Sequence, residues 1–552
     1  MTPQHSSTEP ITKRPWFRFG LRTLLILTSL AGIGLGWLPY NMRLADREAK
    51  AIEVLKDQRG FSVSTFNRKL SLPARCLSKW FGKPLFPTVT ELSLEYDFTD
   101  AHDSTIGPIS NLRRLRSLNL NLEFRKIDLN CLRGLPIEKL TLGTRTRFKN
   151  VDALRGLPLK HLEIHRELKQ VDFLRGKTDM TLLSIPRTNV PNLEVLRGME
   201  LTKLSIAGTE SSSLEALRGM PLRSLHLKEC SQILSLEVLR GMPLNELELE
   251  HCYQIQSLEA LNNSRIERLV LHGGRFKEIA LEGINLKRFC LRGCDELTRL
   301  AAGTGVFVKE MDVTASLKLS VIEGFEGVGL KKIHISTCPL LLDLDGLKNN
   351  KFDEAHVAGC GISNLEFLSQ SDTLEHVRIR DCGSLSNLPK LKHVKFLEIT
   401  NIPFKDLASL KGLKGLTRIA INKCGYLESI DGLQADRIDR VFITNCRSLK
   451  SLTGFKGVKS IGQLTIKNCP KLQSLQGLEE TSLFDIEAAG NYLLNDLTAL
   501  SEMDSLQRIL IKNCRTLKDV SPILDLPNLK MRWIWGCADV ENIDEIQISP
   551  WD

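Results

Sequence analysis

The sequence predicts an α/β repeat solenoid, a horseshoe or arc with parallel β-strands on its concave face. Three observations support this fold class. Segments of about 22 residues repeat along most of the chain, as in LRSLHLKECSQILSLEVLRGMP from Leu222 and LNELELEHCYQIQSLEALNNSR from Leu244. The L-x-L alternation within each segment is typical of a short strand with one buried face. About twelve residues remain for the return to the next strand, so the convex face should carry short 3-10 or one-turn helices or extended segments.

The register of the repeats can be read from one apolar position, the first leucine of L-x-L. Steps between neighbouring copies are close to 22 residues, and we count about 21 units between residues 91 and 552. A single unit cannot bury its own apolar side chains, so the units must stack on one another. The position falls on Leu92, Leu118, Leu140, Leu162, Leu183, Leu204, Leu225, Leu247, Leu269, Phe289, Met311, Ile333, Ala355, Val377, Leu397, Ile419, Val441, Leu464, Ile486 and Ile509.

The shared pattern, L-x-x-L-x-L-x-x-C-x-x-L, resembles the motif of the leucine-rich repeat superfamily, in its short class of about 22 residues. The resemblance covers residues 91–552. Together with the amino-terminal segment described below, it extends to bacterial membrane-anchored leucine-rich repeat proteins. It implies a binding protein and not an enzyme, and it does not name a partner.

Most of the 14 cysteines recur at one position of the motif. The resemblance implies that a buried asparagine or thiol stacks there beneath the turn that leaves the strand, and Asn491 takes that position in one unit. Side chains in register lie about 4.8 Å apart, whereas a disulfide needs Cβ atoms about 3.8 Å apart. We therefore predict buried, reduced, structural thiols at Cys230, Cys252, Cys294, Cys338, Cys360, Cys382, Cys424, Cys446, Cys469, Cys514 and Cys537.

The amino terminus predicts a membrane anchor. Residues 23–40 carry no charge, and the basic residues between Lys13 and Arg22 precede them. This pattern indicates a cytoplasmic tail at residues 1–22, a transmembrane signal anchor at 23–40 and an extracytoplasmic repeat domain. A signal peptide cleaved near Gly34 or Gly36 is the alternative interpretation. Gly32 and Gly36 have the spacing of a helix-dimerisation motif, which leaves the oligomeric state open.

Two further segments separate the anchor from the repeats. Residues 41–60 predict a helical stalk, with Leu44, Ala51, Ile52 and Leu55 on one face and a kink at Pro39. Residues 61–90 lack a clear period and predict an amino-terminal cap over the first repeat.

A recurring L-R-G places an arginine column in the amino-terminal half. An acidic residue stands three positions before most of these arginines, which suits one helical turn. The column therefore predicts a neutralised surface stripe and not a polyanion site. Its arginines are Arg133, Arg155, Arg175, Arg197, Arg218 and Arg240.

Candidate binding residues come from the middle position of L-x-L, which should face solvent on the concave side. The central part of this column offers His334, His356 and Arg378. Apolar and aromatic residues accumulate toward the carboxyl end, either as a partner-binding patch, in which aromatic anchors are typical, or as a cap that seals the last repeat. These are Phe442, Leu510, Trp533, Trp535 and Trp551.

The sequence gives little support for a metal site or for catalysis. Cys290, Asp312, His334 and His356 are possible zinc ligands in one column, but residues in line along stacked strands do not converge tetrahedrally. Motifs of metalloproteases, serine hydrolases and phosphate-binding loops are absent from the sequence. We predict no catalytic residue, cofactor or metal, and no nucleic-acid partner, because the net charge of +10 is modest for 552 residues.

The favoured function is binding of a protein or an envelope component through the concave face. A passive structural spacer is the alternative, as is an intracellular adaptor if the membrane topology is inverted. A specific binder should show a localised cluster of exposed aromatic and arginine side chains on the concave face, whereas a spacer should show none.

Overall fold

The computed structural model describes residues 21–57, 61–67, 75, 78–79, 88–96, 106–121, 127–143, 147–168, 170–433, 435–537 and 540, without the side chains of residues 21–36, 61, 67, 96, 188 and 189. The chain forms two compact units, Met1–Leu174 and Arg175–Asp552.

The first unit begins with one helix, α1 (Leu21–Lys56), and continues in short strands. Strand β1 pairs antiparallel with β2, and the parallel order β2–β3–β5–β7 follows, while β4 and β6 pair separately. The antiparallel β1 lies beside the first parallel strand, and the cap at residues 61–90 stays a prediction. The strands are β1 (Phe61–Asn67), β2 (Val89–Tyr96), β3 (Ser117–Asn121), β4 (Ile127–Asp128), β5 (Lys139–Leu142), β6 (Phe148–Lys149) and β7 (His161–Ile164).

Helix α1 corrects the predicted membrane localisation. No helix within the described residues is long and apolar enough to cross a membrane. The single-pass localisation derived from residues 23–40 is therefore wrong, and the predicted anchor itself is not confirmed. An uncharged run of this length is at the lower limit of a span, and α1 continues through Pro39 into charged residues up to Lys56. The burial of Gly32 and Gly36, and residues 1–20 of the predicted tail, lie outside what the structure describes.

The carboxyl-terminal half of α1 packs on the first repeat. Ala51 and Leu55 are buried as predicted, together with Ala45, against the 3-10 helix Gly107–Asn111 and β1. Glu48 is buried too, and its Oε1 accepts the backbone N–H groups of Thr88 (2.7 Å) and Val89 (3.1 Å). This carboxylate therefore binds the backbone at the start of β2.

The second unit is built on one long parallel sheet in chain order, in which β12, β14, β16 and β18 pair directly, while β13, β15 and β17 form a separate three-stranded parallel sheet. The strands are β8 (Leu182–Asn189), β9 (Lys203–Ala207), β10 (Ser224–Lys228), β11 (Glu246–Glu250), β12 (Arg268–His272), β13 (Glu278–Leu281), β14 (Asn285–Arg292), β15 (Arg299–Ala302), β16 (Phe307–Thr314), β17 (Val321–Glu323), β18 (Lys332–Cys338), β19 (Glu354–Cys360), β20 (His376–Arg380), β21 (Phe396–Thr400), β22 (Arg418–Asn422), β23 (Arg437–Thr444), β24 (Ser460–Lys467), β25 (Ser482–Ala489), β26 (Arg508–Lys512) and β27 (Met531–Trp535).

Short 3-10 helices fill most of the return segments, which confirms that part of the fold prediction. Many of them begin two residues after a Ser, Asp or Asn whose side chain accepts a backbone N–H, as Ser235 does from Glu237 (3.1 Å). They are Gly107–Asn111, Leu129–Leu132, Val151–Gly156, Asp172–Leu174, Leu193–Leu196, Glu215–Leu217, Glu237–Leu239, Glu259–Leu261, Asp345–Leu347, Glu366–Leu368, Ala408–Leu410, Thr453–Phe455, Thr498–Leu500 and Ser521–Ile523.

The register predicted from the sequence is confirmed within each unit. Leu92, Leu118, Leu140 and Leu162 are cross-strand partners in the first unit. The corresponding positions from Leu183 to Ile509 are partners in the second, and they are buried. Period-two alternation therefore fixes which face of every strand enters the core.

The cysteine column lies under the turn after each strand, as predicted. Ten of its eleven members are buried and Cys537 is half-buried. Several thiols donate to the carbonyl two residues earlier, as Cys230 does to Lys228 (3.3 Å). Burial raises the pKa of Cys294 to about 11 and that of Cys424 to about 12. Cys76 lies outside the described residues.

The arginine column is neutralised where its ion pairs are described. Arg197, Arg218 and Arg240 each contact the glutamate three residues earlier at 2.5–2.9 Å, and Arg155 lies 3.9 Å from Asp152. These pairs are well exposed, so each contributes little to stability, and the stripe offers no unpaired cation at these four positions.

Candidate functional site

The candidate residues of the second unit lie on its strand face. We use this name for the solvent-facing surface of the long sheet, formed by the middle residue of each L-x-L and by the residues two positions before and after it. His334 on β18 and His356 on β19 are cross-strand partners there. Their rings stack in parallel, with centroids 4.4 Å apart and an angle of 2° between the planes. A shallow depression of about 290 Å³ beside them is also lined by Asp312 and Arg378.

Asp312 anchors one end of this histidine pair. Its carboxylate accepts from Arg292 (2.7 Å) and from the Thr314 hydroxyl (2.8 Å), and it lies 3.3 Å from Nδ1 of His334. Burial raises the pKa of Asp312, but the hydrogen bonds from His334, Arg292 and Thr314 outweigh it and hold the pKa well below its usual range. Asp312 is therefore charged at neutral pH.

The zinc hypothesis gains no support from this arrangement. The Cys290 thiol lies 3.7 Å from Oδ2 of Asp312, but that oxygen also binds Arg292. Within the described part of the chain, no three His, Cys, Asp or Glu side chains are grouped to hold a metal ion. The four residues lie in a line across neighbouring strands, so they do not surround a common point.

His356 is the histidine whose charge state the site controls most strongly. Burial and then the charges of His334, Arg380 and Arg378 lower its pKa to about 4. Its Nε2 is buried without a hydrogen-bond partner in the described structure. Protonation would add a further cation beside two arginines, so the ring is neutral at physiological pH.

Stability is expected to fall as the pH falls from about 6.5 toward 4. The unfolded chain protonates this histidine near pH 6.5, whereas the folded chain keeps it neutral down to about pH 4. The unfolded state therefore binds more protons in this range. Melting temperatures of the wild type and of His356→Gln at pH 7.5 and 4.5 check this, with His376→Gln, an exposed position on β20, as control. The prediction would be contradicted if the melting temperature of His356→Gln fell as much between pH 7.5 and pH 4.5 as that of the wild type.

Arginine and phenylalanine side chains alternate across the next strands. The guanidinium of Arg378 lies 5.2 Å from the centre of the Phe396 ring, and that of Arg418 lies 5.2 Å from the same ring and 5.3 Å from the Phe442 ring. We call Arg378, Phe396, Arg418 and Phe442 the arginine–phenylalanine ladder. Ala420, the cross-strand partner of Phe442, is small enough to leave room for these rings. Stacking of this kind holds long side chains in place at the surface.

The ladder carries cationic charge that acidic neighbours only partly offset. Arg378 forms ion pairs with Glu354 (3.6 Å) and Glu398 (3.4 Å). Arg418 and Arg440 are exposed, and neither forms an ion pair among the residues that the structure describes. Among the described residues, the ladder therefore presents apolar rings together with one unpaired guanidinium group, that of Arg418, and the unpaired Arg440 lies outside the ladder on β23.

The predicted residues separate into two groups. The first group lies on consecutive or nearby strands, where His334, His356 and Arg378 are cross-strand neighbours and the ladder connects Arg378 to Phe442. Leu510, Trp533 and Trp535 lie on β26 and β27, where Lys512 stands 5.2 Å from the Trp535 ring. Trp551 lies outside the described residues. The choice between a cap and a binding patch at this end stays open.

Sequence reasoning missed part of the site and misjudged some exposures. Phe396 and Arg418 lie two positions before the middle residue of L-x-L. Following that position from repeat to repeat in the sequence would have found them. Val270, Cys290 and Thr465 were expected to be exposed, and they are buried. The expectation was wrong because short side chains on a sheet are covered by longer ones on adjacent strands.

The repeat itself identifies the fold. One short parallel strand, a buried Cys or Asn under the following turn, and a 3-10 return recur at the spacing of the motif. This chain has the leucine-rich repeat fold. No protein-family model and no curated protein matches it.

Three solved structures are similar to this leucine-rich repeat protein in fold. A functional domain of InlJ from Listeria monocytogenes, which includes a cysteine ladder, is 14% identical over 78% of this chain and 82% of that one, with a TM-score of 0.33. A Leptospira interrogans leucine-rich repeat protein is 18% identical over 58% and 87%, with a TM-score of 0.33. Internalin C2 from Listeria monocytogenes is 24% identical over 36% and 91%, with a TM-score of 0.28. The geometry of the repeats in this chain, and not these similarities, carries the assignment.

Proposed function

We propose that this leucine-rich repeat protein is a non-enzymatic binding module whose protein partner docks on the strand face at the arginine–phenylalanine ladder. One observation carries the proposal, namely that exposed or half-exposed arginines and half-buried aromatic rings are concentrated on β20–β23. Arginine and aromatic residues are enriched among the residues that dominate binding energy at protein interfaces. A passive spacer needs no such cluster.

The ladder is suited to protein contacts because its side chains are already ordered. Arg418 is held between two rings, so less conformational entropy is lost when a partner covers it. The half-buried Phe396 and Phe442 offer apolar area, while the histidine pair and Asp312 border it on one side. Such an apolar centre with a polar margin is typical of protein interfaces.

A peptide-display selection on the immobilised protein tests the proposal. We expect most selected peptides to lose binding to Phe396→Ala/Arg418→Ala, by about 30-fold if the pair supplies about 2 kcal/mol. The matched control is Phe484→Ala/Arg508→Ala, which removes one exposed phenylalanine and one strand-face arginine outside the ladder. Equal loss in both variants, or loss in neither, would refute docking at the ladder and favour the spacer.

A further inference from the structure

A groove beside the sheet differs in chemistry from the strand face. It runs along the loops that follow β22–β25, has a volume of about 730 Å³, and is lined by residues that include Lys423, Gly425, Asn445, Arg447 and Tyr492. We call it the side groove. Lys423, Asn445, Asn468 and Gly490 end their strands in left-handed backbone conformation, with φ between 54° and 65°. The repeat therefore brings equivalent loop positions into one row.

The wall of the side groove is a row of amide groups. Nδ2 of Asn468 donates to Oδ1 of Asn445 (3.0 Å), and Nδ2 of Asn445 donates to Oδ1 of Asn422 (3.0 Å). Each of these amides retains donor or acceptor capacity. A row with both donors and acceptors can pair with the N–H and C=O groups of an extended peptide.

The charged residues that line the side groove are basic. Lys423 and Arg447 are exposed and line it, no acidic residue does, and neither cation forms an ion pair within the described ranges. In the next repeat along the chain, Arg515 lies 5.1 Å from the Tyr492 ring. The groove therefore favours an anionic ligand.

Two tyrosines of these loops are exposed. Tyr492 lines the groove and is 45% exposed, and Tyr426, which follows Gly425 in the chain, is 66% exposed. Four loops at about 4.8 Å spacing span about 14 Å, the length of about four extended residues. Two cations and one lining aromatic ring are few for a nucleic acid, which needs several phosphate contacts and stacked bases.

We propose that the side groove binds an extended acidic segment of a protein, through a surface separate from the arginine–phenylalanine ladder. Carboxylates of the segment pair with Lys423 and Arg447, its backbone pairs with the asparagine row, and the tyrosines flank it. The inference does not depend on docking at the ladder, so the two can fail separately.

Gly425 allows a sharp test, because a side chain there would enter the groove without disturbing the fold. A Cβ at Gly425 meets nothing within 4 Å, and the backbone is not left-handed. Gly383, which follows Cys382 as Gly425 follows Cys424, is equally open but lies outside the groove. Gly425→Glu and Gly383→Glu therefore add the same charge at equivalent positions, one inside and one outside.

The probe is a fluorescein-labelled octapeptide of alternating glutamate and alanine, measured by polarisation at low and physiological salt. We expect saturable, salt-sensitive binding that Gly425→Glu weakens at least tenfold, while Gly383→Glu and Phe396→Ala/Arg418→Ala leave it unchanged. Lys423→Glu/Arg447→Glu should lose the glutamate peptide and gain the matching lysine peptide.

Two outcomes would overturn the proposal. One is binding that is absent in the wild type or equally weakened by Gly425→Glu and Gly383→Glu, which would indicate only diffuse charge attraction. The other is a groove-dependent affinity for an oligothymidylate or a sulfated oligosaccharide without affinity for the glutamate peptide. Circular dichroism and melting temperatures of the glycine variants check that both fold alike.

Discussion

Replacing Asn350 with alanine is expected to lower the free energy of unfolding by about 3 kcal/mol or more. Asn350 is buried, and its Oδ1 accepts the backbone N–H groups of Gly329 (3.0 Å) and Leu330 (2.9 Å). Its Nδ2 donates to the carbonyls of Phe325 (2.7 Å) and Leu347 (2.9 Å). Truncation leaves these backbone groups without partners, at a cost of about 1–3 kcal/mol for each group that stays dry.

Urea unfolding followed by circular dichroism measures this loss, with Asn364→Ala as the matched control. Asn364 is exposed, and its side chain accepts one N–H, that of Glu366 (3.2 Å). Its loss should cost about 0.5–2 kcal/mol, as for other helix caps. A similar midpoint shift in the two variants would show that water replaces the Asn350 amide and that the predicted bridging role is wrong.

The second large effect is expected from Phe455→Ala, which should destabilise the chain by about 3–5 kcal/mol. Phe455 ends the 3-10 helix Thr453–Phe455 and has no exposed surface. Truncation of this side chain leaves a cavity in the core. A solenoid is stabilised by packing between neighbouring repeats because no repeat has a core of its own.

The control for this core substitution is Phe484→Ala, since Phe484 is 42% exposed on β25. Its loss should change the free energy of unfolding by less than about 1 kcal/mol. Denaturant titration of both variants separates the two effects. If the two variants lost the same free energy of unfolding, the return segments would have closed around the cavity at Phe455. Packing between the 3-10 helices of adjacent repeats would then contribute little to stability.

The prediction of the repeat succeeded because its signals are local and recur many times. Leu225 and Leu247 were placed opposite each other from spacing alone, and they are partners. Cys230 falls at the motif position that the resemblance places under the turn, and it is buried. The predicted single-pass localisation failed for the opposite reason, because it was inferred from one uncharged run at residues 23–40 without a second copy to test it.

The sequence by itself determined the strand period, the buried face of each strand and the positions of the ladder cysteines. These follow from the two-residue alternation of a strand and from the length of one repeat. The tertiary structure decided that Phe396 and Arg418 join Arg378 and Phe442 in one cluster, and that Val270 and Cys290 are covered. It also decided that Asn350 bridges backbone groups about 20 residues away. Such contacts depend on the lengths of side chains on neighbouring strands and on where each return segment ends, and neither is fixed by the period of the repeat.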